Sequence, residues 1–255
     1  MDGQPSVMRI DRIADETDQL RLFTLIPEDE WAFIPGQVAV LGLEGIGESY
    51  FAIASAPEDK GILQVLVKNG EGVAAAIYRL KKGDSVRVTG PVGKGFPIDN
   101  YKGRDLIIEA VGSAIAPMRG VIKSIIHRRS DFGKVTAIFG VRYPTDFPFT
   151  RELEAWREAN IDIVLTLSRP EGTDWSGKSG YVTAHCEEAV GQLNSPVALV
   201  CGMKDMMQQS REELCRLAKQ AGIPVPLARH NGFRVLGLVS EAPQGFAKKS
   251  HFAGD

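Results

Sequence analysis

The sequence predicts a two-domain chain: an antiparallel β-barrel followed by an α/β domain built on a parallel sheet. Three observations carry this reading. Over residues 1–101, short runs rich in β-branched and aromatic residues are separated by Gly and Pro. From residue 102 onward, continuous apolar runs alternate with stretches of helical periodicity, as expected of βαβ units with both sheet faces covered. Between the two regimes stands "YKGRD" (101–105), which reads as the linker. The division is 1–101 for the barrel, 102–233 for the α/β domain and 234–255 for a weakly patterned tail without an assigned structure.

In the first domain, "RLFTLIP" (21–27), "QVAVLGL" (37–43), "YFAIASA" (50–56), "LQVLVK" (63–68) and "SVRVTGP" (85–91) read as strands. One helix interrupts them. "VAAAIYRLKKG" (73–83) places Val73, Ala76, Ile77 and Leu80 on one stripe and then stops at Gly83. In the second domain, "DLIIEAV" (105–111), "VTAIFGV" (135–141), "IDIVLTLS" (161–168) and "VALVCG" (197–202) are strands of buried type. Helices are predicted over 116–129, 150–160, 183–192 and 203–222.

Composition narrows the function classes. With 44% hydrophobic and 24% charged residues the chain is an ordinary globular protein. A net charge of -2 gives no general attraction to nucleic acid or to a membrane surface. No run of apolar residues is long enough to span a bilayer. Cys186, Cys201 and Cys215 are odd in number and widely spaced, which argues against a disulfide framework and a Cys-rich cluster and fits a reducing compartment. The four histidines show no metal-ligand spacing. Localisation is expected to be cytoplasmic, or an organelle lumen for a mature form: Met1 to Pro5 is polar, with no apolar signal-peptide core.

Three strand ends carry chemistry. "EAVGSAIAPMRGVI" (109–122) is strand, tight turn and helix, with Gly112, Ser113 and Ala114 at the turn and Pro117 in the first helical turn. Such a helix start offers free N–H groups to a phosphate, although the segment lacks the GxGxxG fingerprint and a plain βα turn reads the same way. Cys201 and Gly202 end a later strand on the same rim, where a thiol either touches a bound ring or is a small buried hydrophobe. Ser168, Arg169 and Lys178 follow a third strand; they suit a phosphate, or simply form a solvated loop.

"YFAIASAP" (50–57), "VGSAIAPMR" (111–119) and "VCGMKDMM" (200–207), in that order, resemble the ferredoxin–NADP reductase superfamily. "VKNGEGVAAAIYRLKKGDSVRVTGPVGKGFPID" (67–99) supports the resemblance, which covers about residues 6–233. It implies an FAD-binding barrel joined to an NAD(P)-binding α/β domain. On this resemblance Phe51 packs on the isoalloxazine, with Tyr50, Ala52 and Ile53 on the same strand meeting the flavin. Val67 and Lys68 border the adenosine or pyrophosphate, and Gly72, Val73 and Ala74 open the helix facing the pyrophosphate. Gly112, Ser113, Ala114 and Pro117 match the nicotinamide-dinucleotide turn; Cys201, Gly202 and Met206 match the element beside the nicotinamide. Ser168, Arg169 and Lys178 resemble the 2′-phosphate cluster of NADPH users. Phe233 corresponds to the aromatic that covers the flavin face in plant-type relatives.

The implied activity is hydride transfer from NAD(P)H, with NADP favoured over NAD, to FAD, and onward transfer to an acceptor the sequence does not name, a protein being one option. Phe51, Ala52 and Cys201 are the residues expected beside the reacting rings. One departure from the family stands out. Where the usual motif is Arg-x-Tyr-Ser, this chain has Ser49, Tyr50, Phe51 and Ala52, so the pyrophosphate-clamping Arg and a hydroxyl near flavin N5 are missing. The "FxAIAS" form resembles a subgroup of FAD/NAD(P)-binding oxidoreductases without an iron–sulfur domain. Three roles follow: a free-standing reductase, favoured by the self-contained look of the chain; an electron-input subunit of a larger redox complex; or a degenerate nucleotide-binding or docking module without turnover.

Overall fold

A computed structural model describes residues 5–190, 193, 196–222 and 234–239. Six antiparallel strands form the first domain: β1 (Ser6–Thr17), β2 (Leu20–Ile26), β3 (Val38–Leu43), β4 (Gly47–Ala52), β5 (Leu63–Lys68) and β6 (Ser85–Val92), in the order β4-β3-β6-β1-β2-β5. The two ends of this sheet meet just past β4. Ile53 bridges to Val65, and the Ala54 N–H donates to the Gln64 carbonyl at 2.7 Å. Closing the sheet this way leaves few edge groups unpaired. Met8, Phe23, Leu41, Ile53, Val65 and Val88 fill the interior, and the helix α1 (Gly72–Tyr78) packs Ile77 against them.

The second domain is a parallel sheet of β7 (Leu106–Val111), β8 (Val135–Val141), β9 (Ile161–Leu167), β10 (Lys178–Ser179), β11 (Val197–Gly202) and β12 (Arg234–Val239). Their order is β10-β9-β8-β7-β11-β12. The helices α2 (Ile115–His127) and α3 (Leu153–Glu158) share one apolar cluster with the sheet. The helices α4 (Cys186–Val190) and α5 (Lys204–Gln220) share another.

The chain departs from the sequence reading in several places. β1 was not predicted, because its inward Met8 and Ile10 alternate with Arg and Asp on the outer side. The segment after Phe233 is not all tail: Arg234–Val239 pairs in parallel with Val197–Gly202. α1 ends at Tyr78, ahead of its glycine stop. The linker "YKGRD" is fixed: Tyr101 is buried, Gly103 N–H donates to the Asp131 carbonyl at 2.6 Å, and Lys102 lies 3.0 Å from Asp131.

A single cluster also runs across the domain junction. Leu20, Leu22, Ala54 and Leu66 of the barrel pack with Ile115, Met118 and Ile122 of α2. Residues Ile115 to Ile122 are buried without a break, so the first half of α2 is enclosed on all sides. Polar contacts reinforce the seam. Lys123 lies 2.6 Å from Asp59, Ser124 donates to Glu58 at 2.7 Å, and the Phe149 N–H donates to Glu16 at 2.9 Å. No helix among the described residues is long and apolar enough to cross a membrane.

Candidate active site at the domain junction

The strand pleat decides which side chains of β4 reach the cleft. β3 lies between β4 and β6, with Leu41 opposite Ser49 and Val88, and Ala39 opposite Phe51. Leu41, Ala39 and Val88 are fully buried in the barrel, so Ser49 and Phe51 share the inward face. Phe51 is 6% exposed and belongs to the interior cluster. Phe51 thus packs in the barrel interior, where the expectation set it against a flavin ring. The aromatic on the outer face is its neighbour Tyr50, opposite Val40 and half-buried. Ala52, also outward, packs against the cluster that holds Ala114, Ile115 and Cys201 of the second domain. Ile53 is fully buried in the barrel and offers only backbone.

The same alternation relocates the phosphate end. Two residues before Tyr50 on the outer face stands Glu48, exposed and opposite Gly42. An anion thus occupies the outward place that precedes the aromatic. On β5 the outward row is Gln64, Leu66 and Lys68, opposite Thr24, Leu22 and Leu20, while Val67 points into the barrel. Lys68 lies three residues beyond Val65, which bridges to Ile53, three residues beyond Tyr50. Lys68 is exposed and has no acidic partner among the described residues. Just beyond it Gly72 takes φ +57, and nothing lies within 4 Å of where a side chain would start. Val73 and Ala74 turn their side chains to the barrel interior, leaving backbone outward.

On the second domain, Gly112 takes φ +55 with open space beside it, and Ser113 is exposed. Ala114 and Pro117 are buried in the first turns of α2. Gly202 is needed for another reason: a side chain there would start 2.7 Å from the Met206 sulfur. Cys201 is 2% exposed in the junction cluster, and burial pushes its thiol up to about 12. It is a neutral thiol, not a thiolate.

The three residues read as a 2′-phosphate cluster are not gathered evenly. Arg169 is exposed, and its N–H donates to the Arg142 carbonyl at 3.1 Å, so the side-by-side strand ends place two arginines next to each other. Neither guanidinium has an acidic partner among the described residues. Ser168 leans back on the Val141 carbonyl at 3.4 Å. Lys178 sits on edge strand β10, paired with Glu188 at 2.5 Å. Phe233 lies outside the described residues.

Two features escaped the sequence reading. Arg119 is 5% exposed at the junction; its only signal was a charge within an apolar helix. Glu109, fully buried on β7, accepts a hydrogen bond from Cys186 at 2.9 Å while its Oε2 has no partner among the described residues. Burial raises the Glu109 carboxyl above the usual range. No group of three or more His, Cys, Asp or Glu side chains is gathered for a metal among the described residues.

The donor set fits a flavin dinucleotide in the main. An apolar outer wall, one unpaired cation and two open glycine turns are present, with Glu48 the discordant element. Comparisons with known proteins point the same way. Residues 109–212 match the oxidoreductase NAD-binding domain family. The gamma subunit of sulfhydrogenase 1 from Pyrococcus furiosus is 34% identical over 206 residues, 78% of this chain and 70% of that protein. Ferredoxin–NADP reductase B from Sorangium cellulosum is 31% identical over 172 residues, 64% of this chain and 69% of that one. The crystal structure of a ferredoxin NADP+ reductase from Neisseria gonorrhoeae with bound FAD and NADP superposes with a TM-score of 0.76 at 21% identity, covering 93% of this chain and 99% of that one. With its closed barrel, its parallel sheet and these relatives, the chain belongs to the ferredoxin–NADP reductase superfamily of NAD(P)H-dependent flavin oxidoreductases.

Proposed function

We propose that the chain binds FAD against the outer face of β4, accepts reducing equivalents from NAD(P)H and passes electrons to a protein acceptor. One observation carries this reading: Ala52 of the outward strand packs in the same cluster as Ala114 and Cys201, which flank the two glycine turns. A ring lying on Tyr50 and Ala52 would therefore meet a ring seated at Gly112 and Gly202. Bound FAD supplies the hydride-accepting chemistry; the protein supplies placement. Tyr50 forms the wall, and Lys68 offers a cation to the pyrophosphate in place of the family's Arg. The backbone at Gly112 lets a dinucleotide approach the start of α2. Arg169, with Arg142 beside it, suits the 2′-phosphate of NADPH better than Lys178, which Glu188 already occupies.

The likeness to a subunit of a sulfhydrogenase favours work within a larger redox assembly over a free-standing reductase. A second such gamma subunit, 29% identical over 223 residues, adds to that support. The test is an anaerobic titration of FAD-loaded protein with NADPH and with NADH, followed by purification from the native cell. Bleaching of the flavin band, together with a stoichiometric redox partner, is the expected result. Failure to take up FAD, or FAD that no nicotinamide reduces, would instead favour a docking module without turnover. Bleaching without a partner would favour the free-standing enzyme.

A further inference from the structure

We infer that Arg119 is a positioning residue: it locks the 52–56 segment of the barrel to the helix that begins at the Gly112 turn. The inference rests on the flavin reading above. All three Arg119 nitrogens are engaged, Nη1 across the junction and the other two within the second domain. Nε donates to both Glu152 oxygens at 2.9 Å, and Nη2 lies 2.8 Å from Glu152 Oε1. Nη1 donates to the Ala54 carbonyl at 2.6 Å and to Gln64 Oε1 at 2.8 Å. Its Cζ stands 4.9 Å from the Phe149 ring centroid.

The two barrel acceptors are themselves held. Gln64 donates from Nε2 to Thr24 at 3.0 Å, which fixes the amide so that Oε1 faces the guanidinium. The Gln64 N–H donates to Ser55 Oγ at 3.0 Å. The Ala54 peptide is tied on both sides, its N–H to the barrel and its carbonyl to Arg119. The next residue of α2 adds a steric contact. A side chain at Gly120 would start 2.7 Å from the Ser55 carbonyl oxygen, so helix backbone and strand backbone touch. Arg119 and Gly120 lie on α2, which follows directly on the turn at Gly112–Ala114. The strand that carries Tyr50 and Ala52 is thereby referenced directly to the nicotinamide side. Hydride transfer tolerates little misplacement, about a hundredfold in rate for an ångström.

The test uses the full chain loaded with FAD and compares wild type, Arg119→Lys and Gly120→Ala. Arg119→Lys keeps the charge and loses the fork; Gly120→Ala keeps Arg119 and pushes on Ser55. Stopped-flow reduction at saturating NADPH should slow roughly ten- to hundredfold in both. Dissociation constants for FAD and for NADPH should stay within about threefold in both, since neither residue is among those proposed to touch either cofactor. The long-wavelength charge-transfer absorbance of the mixed complex should weaken. Without any cofactor, amide hydrogen exchange should rise at residues 53–56 more than elsewhere in the barrel. Unchanged reduction rates with unchanged exchange would overturn the inference, as would a rate loss explained wholly by weaker FAD binding. If wild type takes up no FAD, the proposed function fails, and exchange at 53–56 alone decides whether Arg119 holds the segment. Should Arg119→Lys not fold, Gly120→Ala carries the same comparison.

Discussion

Tyr50 and Phe51 are adjacent aromatics on one strand, and the pleat gives them opposite duties. Removing the Tyr50 ring should weaken FAD binding and leave the barrel nearly as stable, because the ring stands on the outer face. One buried ring face and its stacking geometry are together worth about 1.5–3 kcal/mol, or roughly ten- to hundredfold in Kd. Phe51 is 6% exposed among Ala39, Leu41 and Ile53, so its loss is a core defect. Phe51→Ala should cost about 3–5 kcal/mol of stability, and Phe51→Leu about 1 kcal/mol. The assay pairs FAD titration by flavin fluorescence quenching with thermal unfolding of the apoprotein. Tyr50→Ala should raise the FAD Kd at least tenfold with a small change in Tm. Phe51→Leu should lower Tm by a few degrees and leave the FAD Kd unchanged. The reasoning is refuted if folded Phe51→Leu loses FAD tenfold while Tyr50→Ala binds normally. In that outcome Phe51 faces the ring.

Lys68→Gln should raise the FAD Kd roughly tenfold or more, the usual worth of a hydrogen bond to a charged group; the same fluorescence titration reads it, and unchanged affinity removes Lys68 from the pyrophosphate. Arg169→Ala should raise the KM for NADPH far more than for NADH, and Glu188→Gln, by freeing Lys178, should move the NADPH KM the other way. Equal effects of Arg169→Ala on both nicotinamides would remove the 2′-phosphate assignment. Glu109 titrates higher in the folded chain than unfolded because burial disfavours its charge. Its contribution to stability is therefore complete below the unfolded carboxylate pKa of about 4.3 and shrinks as pH rises, by at most about 1.4 kcal/mol per pH unit. Glu109→Gln should flatten the fall in urea-unfolding stability between about pH 5 and pH 8. An unaltered slope in that variant would show that Glu109 is not the titrating group.

What the sequence made legible, and what it hid, both follow from periodicity. β8 and β11 were read to the residue because strands buried on both faces are continuous apolar runs with sharp ends. β1 was missed because a barrel strand with a charged outer side shows only two inward apolar anchors, Met8 and Ile10. The glycine turns at Gly112 and Gly202 were legible because glycine there answers a local demand, a positive φ in one case and a crowding sulfur in the other. The face of β4 was not. A family motif gives residue order, whereas the outward face is set by register against β3, and one residue of slip exchanges Tyr50 with Phe51. Arg119 was hidden for a related reason. Its partners Ala54, Gln64, Phe149 and Glu152 lie 30 to 65 positions away. No spacing rule reports such a contact. Its one local trace is a charge inside the apolar first half of a helix, where residues 115–122 are all buried, and that trace has physical content. A guanidinium enclosed at 5% exposure is tolerated only where every donor is met, so a lone Arg in an apolar helix forecasts a polar seam on the surface that covers it. Here that surface is the strand on which the proposed flavin would lie, which ties the stability of the junction to the geometry of the reaction.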